Sequence, residues 1–194
     1  MYPFFKRCID LAVSIIALPF WLLIFIVVGI LIKVDDGGPI FYVAPRLGKN
    51  GTLLKMLKFR SMKVNAENRV NADGNTYNAA DDVRVTKIGK ILRETSIDET
   101  PQLLNILVGQ MSLIGPRAGE YDTLPSYQED EKDKLKVKPG ITGYTQAYYR
   151  NSLTAREKRL YDAWYANNMT FKLDLKIFFK TIGTVLKHEN IYTN

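Results

Sequence analysis

Asp98 and Glu99 stand side by side in the run Ser96-Ile97-Asp98-Glu99-Thr100-Pro101, just ahead of the apolar residues Leu103, Leu104, Ile106, Leu107 and Val108. Ser96 and Glu99 have the spacing of a capping box, and Pro101 is tolerated only in a first helical turn. A helix is therefore predicted to begin between Ser96 and Asp98. Either start seats both carboxylates at the positive end of a helix dipole, among N–H groups that favour the ionised form. Asp98 is thus expected to be charged at neutral pH. An ionised aspartate can attack phosphorus and form an acyl phosphate. An adjacent acid can hold a divalent ion, and carboxylate oxygens joined by substrate phosphates suit Mg²⁺. Such chemistry needs cations: Arg93 lies just upstream, and Arg117 follows Gly115 and Pro116 in a turn. The plainer reading is that these acids only cap a helix, which is the commoner role of acids at helix starts.

The elements around this pair are legible in outline. Residues 85–93 set Ile88, Ile91 and Leu92 against Lys87, Lys90 and Arg93 at helical spacing, a short amphipathic helix with one basic side. Residues 39–43 and 52–59 flank the turn dipeptide Asn50-Gly51 and read as short strands or a hairpin. No acid occurs between Gly37 and Ala66, a stretch that holds Arg46, Lys49, Lys55, Lys58, Arg60 and Lys63. That cluster would meet anionic headgroups or substrate phosphates, or would simply be a solvated basic face. Residues 64–86, rich in Asn, Asp, Ala and Gly, read as a long loop or a lid. Thr154 and Glu157 have capping-box spacing before a helix through Trp164, and residues 171–187 form a basic amphipathic helix for the membrane interface or the core.

Residues 11–32 are uncharged and almost wholly apolar, between Asp10 and Lys33. A straight helix of that length would cover roughly 33 Å, about one bilayer core. The stretch is too long for a signal peptide and lacks a small-residue cleavage pattern. Pro19 interrupts it, removing one backbone hydrogen bond and kinking a helix at a cost of about 3 kcal/mol. Lys6 and Arg7 precede it and would hold the N-terminus in the cytosol, so a true crossing would export everything after residue 33. A helix broken at Pro19 that enters and leaves by one face is the preferred reading; a spanning helix with a tolerated proline is the other.

Length and composition limit the rest. A chain of 194 residues suits one catalytic unit with an appendage, and the net charge of +7 calls for an anionic partner. Cys8 is the only cysteine and His188 the only histidine, which excludes an internal disulfide and disfavours His-based triads or multi-His metal sites. There is no repeat, no Walker sequence and no GxGxxG.

These residues together resemble the bacterial sugar transferase family, the monotopic phosphoglycosyl transferases. The matching runs are Lys6-Arg7 with Asp10; Lys58-Phe59-Arg60-Ser61-Met62; Ser96 through Leu103; Met111 through Arg117; Pro139-Gly140-Ile141-Thr142-Gly143; and Asp174-Leu175-Lys176. They extend over nearly the whole chain. The resemblance implies an α/β fold, mostly helical with a short β-hairpin. Residues 1–35 would form a re-entrant membrane helix segment that breaks at Pro19, and residues 36–194 a small cytoplasmic catalytic domain at the inner-membrane interface. It implies transfer of a sugar-1-phosphate from a UDP-sugar donor to a polyprenyl (undecaprenyl) phosphate acceptor with release of UMP, as the first membrane step of glycoconjugate or exopolysaccharide synthesis. Asp98 matches the nucleophile and Glu99 its Mg²⁺-associated partner. Arg93, Arg117 and Arg150, the last in the run Tyr149-Arg150-Asn151, match arginines that face substrate phosphate, with Lys58 and Arg60 as further substrate-binding candidates. Membrane lipid is an expected partner and nucleic acid is not; the assembly state, monomer or homo-oligomer, and the sugar are open. Three departures from the family pattern stand out: Leu18 before Pro19 in place of a frequent serine, Ala118 after Arg117 in place of proline, and Thr145-Gln146 in place of Ala-Gln. A membrane-tethered basic module that binds anionic lipid without catalysis is the alternative; it accounts for the charge but not for the paired acids.

Overall fold

The structure is a computed structural model and describes residues 2–67, 69, 71, 77, 79, 81–150 and 152–186, the last two by backbone alone. The remainder of the expected loop over residues 64–86, Asn151, Lys187 and His188 lie outside the described residues. The apolar N-terminal run forms one long helix, α1 (Tyr2–Asp36). Helical geometry continues through Pro19, so the expected break is not an interruption of the helix, and the direct effect of the proline is the loss of one N–H donor. Burial recurs every one or two turns at Asp10, Ser14, Trp21, Val28 and Ile32, while Ile16, Phe20, Leu23, Ile26, Val27 and Ile30 are exposed. One stripe of α1 is therefore covered by protein, and the opposite stripe presents only hydrocarbon.

Both ends of α1 are tied to the same body. Near the N-terminus, Arg7 donates from Nη1 to the Ile106 carbonyl at 2.6 Å and from Nη2 to the Leu107 carbonyl at 3.1 Å. Asp10 Oδ1 accepts from Ser112 Oγ at 3.1 Å and from Leu113 N–H at 3.0 Å, while Tyr2 and Lys6 both donate to Asp174. At the other end Asp35 Oδ2 accepts the Ile88 N–H at 3.2 Å, and Asp36 clamps the Arg60 guanidinium.

After α1 the chain makes an antiparallel hairpin, β1 (Phe41–Leu47) and β2 (Leu53–Phe59), paired from Phe41 with Phe59 to Leu47 with Leu53. Its turn uses Asn50 at φ 57° and Gly51 at φ 74°, the two left-handed positions that the Asn-Gly pair supplies at low cost. The hairpin lies where the sequence placed it, with β1 running to Leu47. Phe59 stacks on Phe41 and packs with Val28, Ile32 and Leu92, so the C-terminal half of α1 shares a core with the hairpin and with α2 (Lys87–Glu94). A Cβ on Gly89 of α2 would sit 2.0 Å from the Ser61 carbonyl oxygen, which shows how closely that helix is pressed onto the strand exit.

Helix α3 (Gln102–Leu107) buries Ile106 against Ala44, Leu54, Met56 and Met111. A second sheet, absent from the sequence expectation, pairs β3 (Ser112–Ile114) with β4 (Gly140–Thr142) in parallel. It depends on backbone-to-backbone contact: Gly115 N–H donates to the Thr142 carbonyl at 2.9 Å, and a Cβ at Gly143 would meet the Gly115 carbonyl at 2.0 Å. Helices α4 (Tyr144–Tyr148), α5 (Ala155–Asn167) and α6 (Phe171–Leu186) complete the chain, with Tyr165, Ile177 and Ala147 buried on Ile114. The Thr154–Glu157 capping box forms as expected. The molecule is thus mostly helical with small sheets and one long apolar helix suited to a membrane.

Candidate active site

Asp98 and Glu99 lie on a 3-10 turn, Ile97–Glu99. Thr100 and Pro101 keep right-handed helical angles, so the turn runs on into α3, which becomes α-helical only at Gln102. The capping box expected between Ser96 and Glu99 does not form. Ser96 sits at φ 58°, ψ 17°, whereas a capping serine needs an extended backbone to aim its hydroxyl at the first free N–H groups.

Burial, and no regular helix dipole, dominates the electrostatics. Asp98 is 9% exposed, and no hydrogen-bond donor among the described residues reaches its carboxylate. Desolvation pushes its pKa up, to about 6, with the Glu99 charge adding to the rise and Lys58, Arg93 and Arg117 opposing it. It is still mostly ionised at neutral pH, although its proton affinity shifts opposite to the dipole expectation. Burial would push Glu99 up as well; the Lys58 ammonium and the Arg117 guanidinium outweigh it and hold Glu99 down, near 2. Lys58 Nζ, on β2, donates to Glu99 Oε1 at 2.7 Å, and Arg117 Nη2 approaches the same oxygen at 3.5 Å. The two acids therefore differ in kind: Glu99 is fixed and charged, while Asp98 is buried without a hydrogen bond.

Each cation arrives on its own element. Lys58 comes from the hairpin, Arg93 from the last turn of α2, where its Nε donates to Ser61 Oγ at 3.1 Å, and Arg117 from the loop after β3. The structure thus gathers Lys58, Arg93 and Arg117 around the dyad. Arg60 is elsewhere: its guanidinium engages Asp36, the Pro39 carbonyl at 2.7 Å and the Met62 carbonyl at 3.0 Å, and it joins the end of α1 to the hairpin. Arg150 lies after α4 at φ 47°.

One residue that organises the site was not singled out from the sequence. Asp162 of α5 is 1% exposed; its Oδ2 accepts the Arg117 backbone N–H at 3.1 Å and Lys134 Nζ at 3.0 Å, and its Oδ1 accepts Thr145 Oγ1 at 2.9 Å. It fixes the backbone from which Arg117 reaches Glu99. Its sequence signal was a single carboxylate inside the apolar run from Tyr161 to Tyr165, where a charge has to find partners. Thr145 is one of those partners.

Among the described residues no group of three or more His, Cys, Asp or Glu side chains converges, so an ion at the dyad would draw at most two protein ligands from it.

A family model described as bacterial sugar transferase matches residues 1–188. EpsL of Bacillus subtilis, described as an uncharacterized sugar transferase, is 39% identical over 186 residues, covering 96% of this chain and 89% of its own length. The UDP-N-acetylgalactosamine-undecaprenyl-phosphate N-acetylgalactosaminephosphotransferase of Aeromonas hydrophila is 34% identical, over 96% of this chain and 44% of its own. The undecaprenyl-phosphate galactose phosphotransferase of Salmonella typhimurium is 36% identical, over 97% of this chain and 42% of its own. The chain thus spans most of EpsL but under half of the two longer relatives.

Proposed function

The chain belongs to the bacterial sugar transferase family, and from that premise we propose that it transfers a sugar-1-phosphate from a UDP-sugar to undecaprenyl phosphate through a phosphorylated Asp98. The observation that carries this reading is the division of labour in the dyad. Glu99 is already paired with Lys58 and Arg117, while the buried Asp98 carboxylate meets no donor among the described residues and three cations stand around it.

In the first step an Asp98 oxygen bonds to the phosphorus that carries the sugar. The bond from that phosphorus to the bridging oxygen breaks, and UMP leaves with the electron pair. In the second step an oxygen of the lipid phosphate bonds to the same phosphorus, the Asp98–phosphorus bond breaks, and the carboxylate is regenerated. One phosphoanhydride replaces another, so little net energy is needed. Lys58, Arg93 and Arg117 supply fixed positive charge for the phosphate oxygens, and burial strengthens each of those interactions. Lys58 engages only one oxygen of Glu99. The other oxygen, with Asp98 and substrate phosphates, fits Mg²⁺, which when bound would neutralise charge on the departing phosphate.

The acceptor is a membrane lipid, and α1 would carry the site to it. Both ends of α1 bond to the same body, which supports a helix that dips into one leaflet and leaves the domain on the cytoplasmic face, where nucleotide sugars are made.

Purified protein supplied with Mg²⁺, undecaprenyl phosphate and a panel of UDP-sugars should release UMP from at least one of them. Asp98→Asn should lower that release by at least about 10⁴-fold, comparable to the loss of a covalent nucleophile. Turnover retained in Asp98→Asn would remove Asp98 from its role.

A further inference from the structure

Glu99, Gln102 and Asn105 follow one another at three-residue steps. The segment that carries them is helical without a break: Thr100 N–H donates to the Ile97 carbonyl, Leu103 N–H to the Thr100 carbonyl and Leu104 N–H to the Pro101 carbonyl, each at 3.0 Å. Side chains three apart in such turns lie over one another, so these three share a face. That face is turned toward β2. At one end Glu99 is held by Lys58. At the other, Asn105 Oδ1 accepts the Leu57 N–H at 2.9 Å, and its Nδ2 donates to the Lys55 carbonyl at 2.9 Å. Gln102, between them, is 2% exposed, yet its Nε2 has no acceptor among the described residues.

Buried polar groups in folded proteins are normally bonded, and one left without a partner weakens the fold. A second group in the same condition stands beside this one. Asp98 precedes Gln102 by four residues, the spacing at which a glutamine amide and an aspartate carboxylate bond across one helical turn. The Asp98 carboxylate is buried and meets no donor among the described residues. An unpaired donor and an unpaired acceptor are thus one turn apart, and the structure leaves the bond between them unmade.

We infer that Gln102 is a positioning residue for the transfer, and that its Nε2 donates to the Asp98 oxygen that does not bond phosphorus. The bond closes as the sugar phosphate arrives and turns the other Asp98 oxygen toward phosphorus. In the second step it supports the carboxylate that is regenerated when the Asp98–phosphorus bond breaks. The inference rests on the reading of Asp98 as the nucleophile. It separates the two amides of one face: Asn105 builds the fold, and Gln102 serves the reaction.

Gln102→Met and Gln102→Leu, apolar side chains of different shape, test it in the full chain held in nanodiscs with Mg²⁺. Without lipid the first step runs once and gives a single burst of UMP. At saturating UDP-sugar the rate constant of that burst should fall about 10²-fold in both variants, the loss that roughly 1 Å of misplacement can cause. The UDP-sugar concentration at half-maximal rate should stay within about twofold, because donor binding does not use this bond. Melting temperatures should equal or exceed that of wild type, since hydrocarbon replaces an unpartnered donor. Asn105→Leu strips the bonds to Leu57 and Lys55, and it should melt lower, as loss of a structural amide does. A burst rate constant within about threefold of wild type in both Gln102 variants would overturn the inference. So would melting temperatures lowered to that of Asn105→Leu. A burst restored by raised Mg²⁺ would place Gln102 on Glu99 instead and overturn it as well. Wild-type protein that releases no UMP from any UDP-sugar would defeat the transfer reading itself, and this role with it.

Discussion

Asp98 and Glu99 are neighbours in sequence, yet their surroundings drive their proton affinities apart. Asp98 is raised to about 6 mainly by burial, and Glu99 is held near 2 because Lys58 and Arg117 outweigh the same burial. In the proposed reaction Asp98 attacks as the carboxylate, so the lipid-free UMP burst should fall as pH drops through about 6, approaching tenfold per unit below about 5. A titration of burst rate against pH checks this. Stability should respond in opposite senses. The raised Asp98 favours folding at low pH, and that contribution is lost as pH rises through about 6; the lowered Glu99 contributes above its unfolded value and is lost as pH falls toward 2. At neutral pH Asp98→Asn should therefore stabilise the inactive protein by about 1–3 kcal/mol. Glu99→Gln leaves Lys58 poorly paired and should cost roughly 1–3 kcal/mol. Thermal melts of the two variants beside wild type would show whether the signs differ. The dyad and its cations Lys58, Arg93 and Arg117 were legible in the sequence because their types and runs carry chemistry. The role of Asp162 was not, because it arises only when α5 packs on the loop after β3. The clamp made by Arg60 was hidden for a similar reason: its partner, Asp36, closes α1 and is not in the basic cluster.

At the level of elements, the hairpin and the capped helix α5 could be read directly, since an Asn-Gly turn and a Thr-x-x-Glu box fix local geometry on their own. The parallel pair β3–β4 could not. Three-residue strands carry no periodicity, and the pairing depends on glycines that let two backbones touch. The start of the dyad segment was placed to within a residue, but the left-handed turn at Ser96 replaced the predicted cap. Helix α1 was visible as an apolar run, whereas its one-sided burial and its ties at both ends are tertiary facts. Those ties predict topology. Cys8 is exposed near the start of α1, and Lys49→Cys would place a thiol beyond its end. In intact cells a membrane-impermeant maleimide should label neither thiol, and in lysed cells both. Labelling of only one of the two in intact cells would mean that α1 crosses the bilayer.

Taken whole, the molecule joins a hydrocarbon-faced helix to a compact body in which a hairpin, α2 and the β3 loop each deliver one cation to the same two acids. Three separate segments must fold before the site exists, so any loss of tertiary packing should disperse its charge and its activity together. In the proposed function a water-soluble donor and a lipid acceptor use one nucleophile in turn. The central claim is that this nucleophile becomes covalently bonded to phosphorus, and the most direct test omits the acceptor. Protein incubated with Mg²⁺ and a UDP-sugar that supports turnover, quenched and measured by intact mass, should gain the mass of one sugar phosphate, mapped to the peptide holding Asp98, in step with one equivalent of UMP. UMP formed without any added mass, or an adduct on another residue, would contradict it.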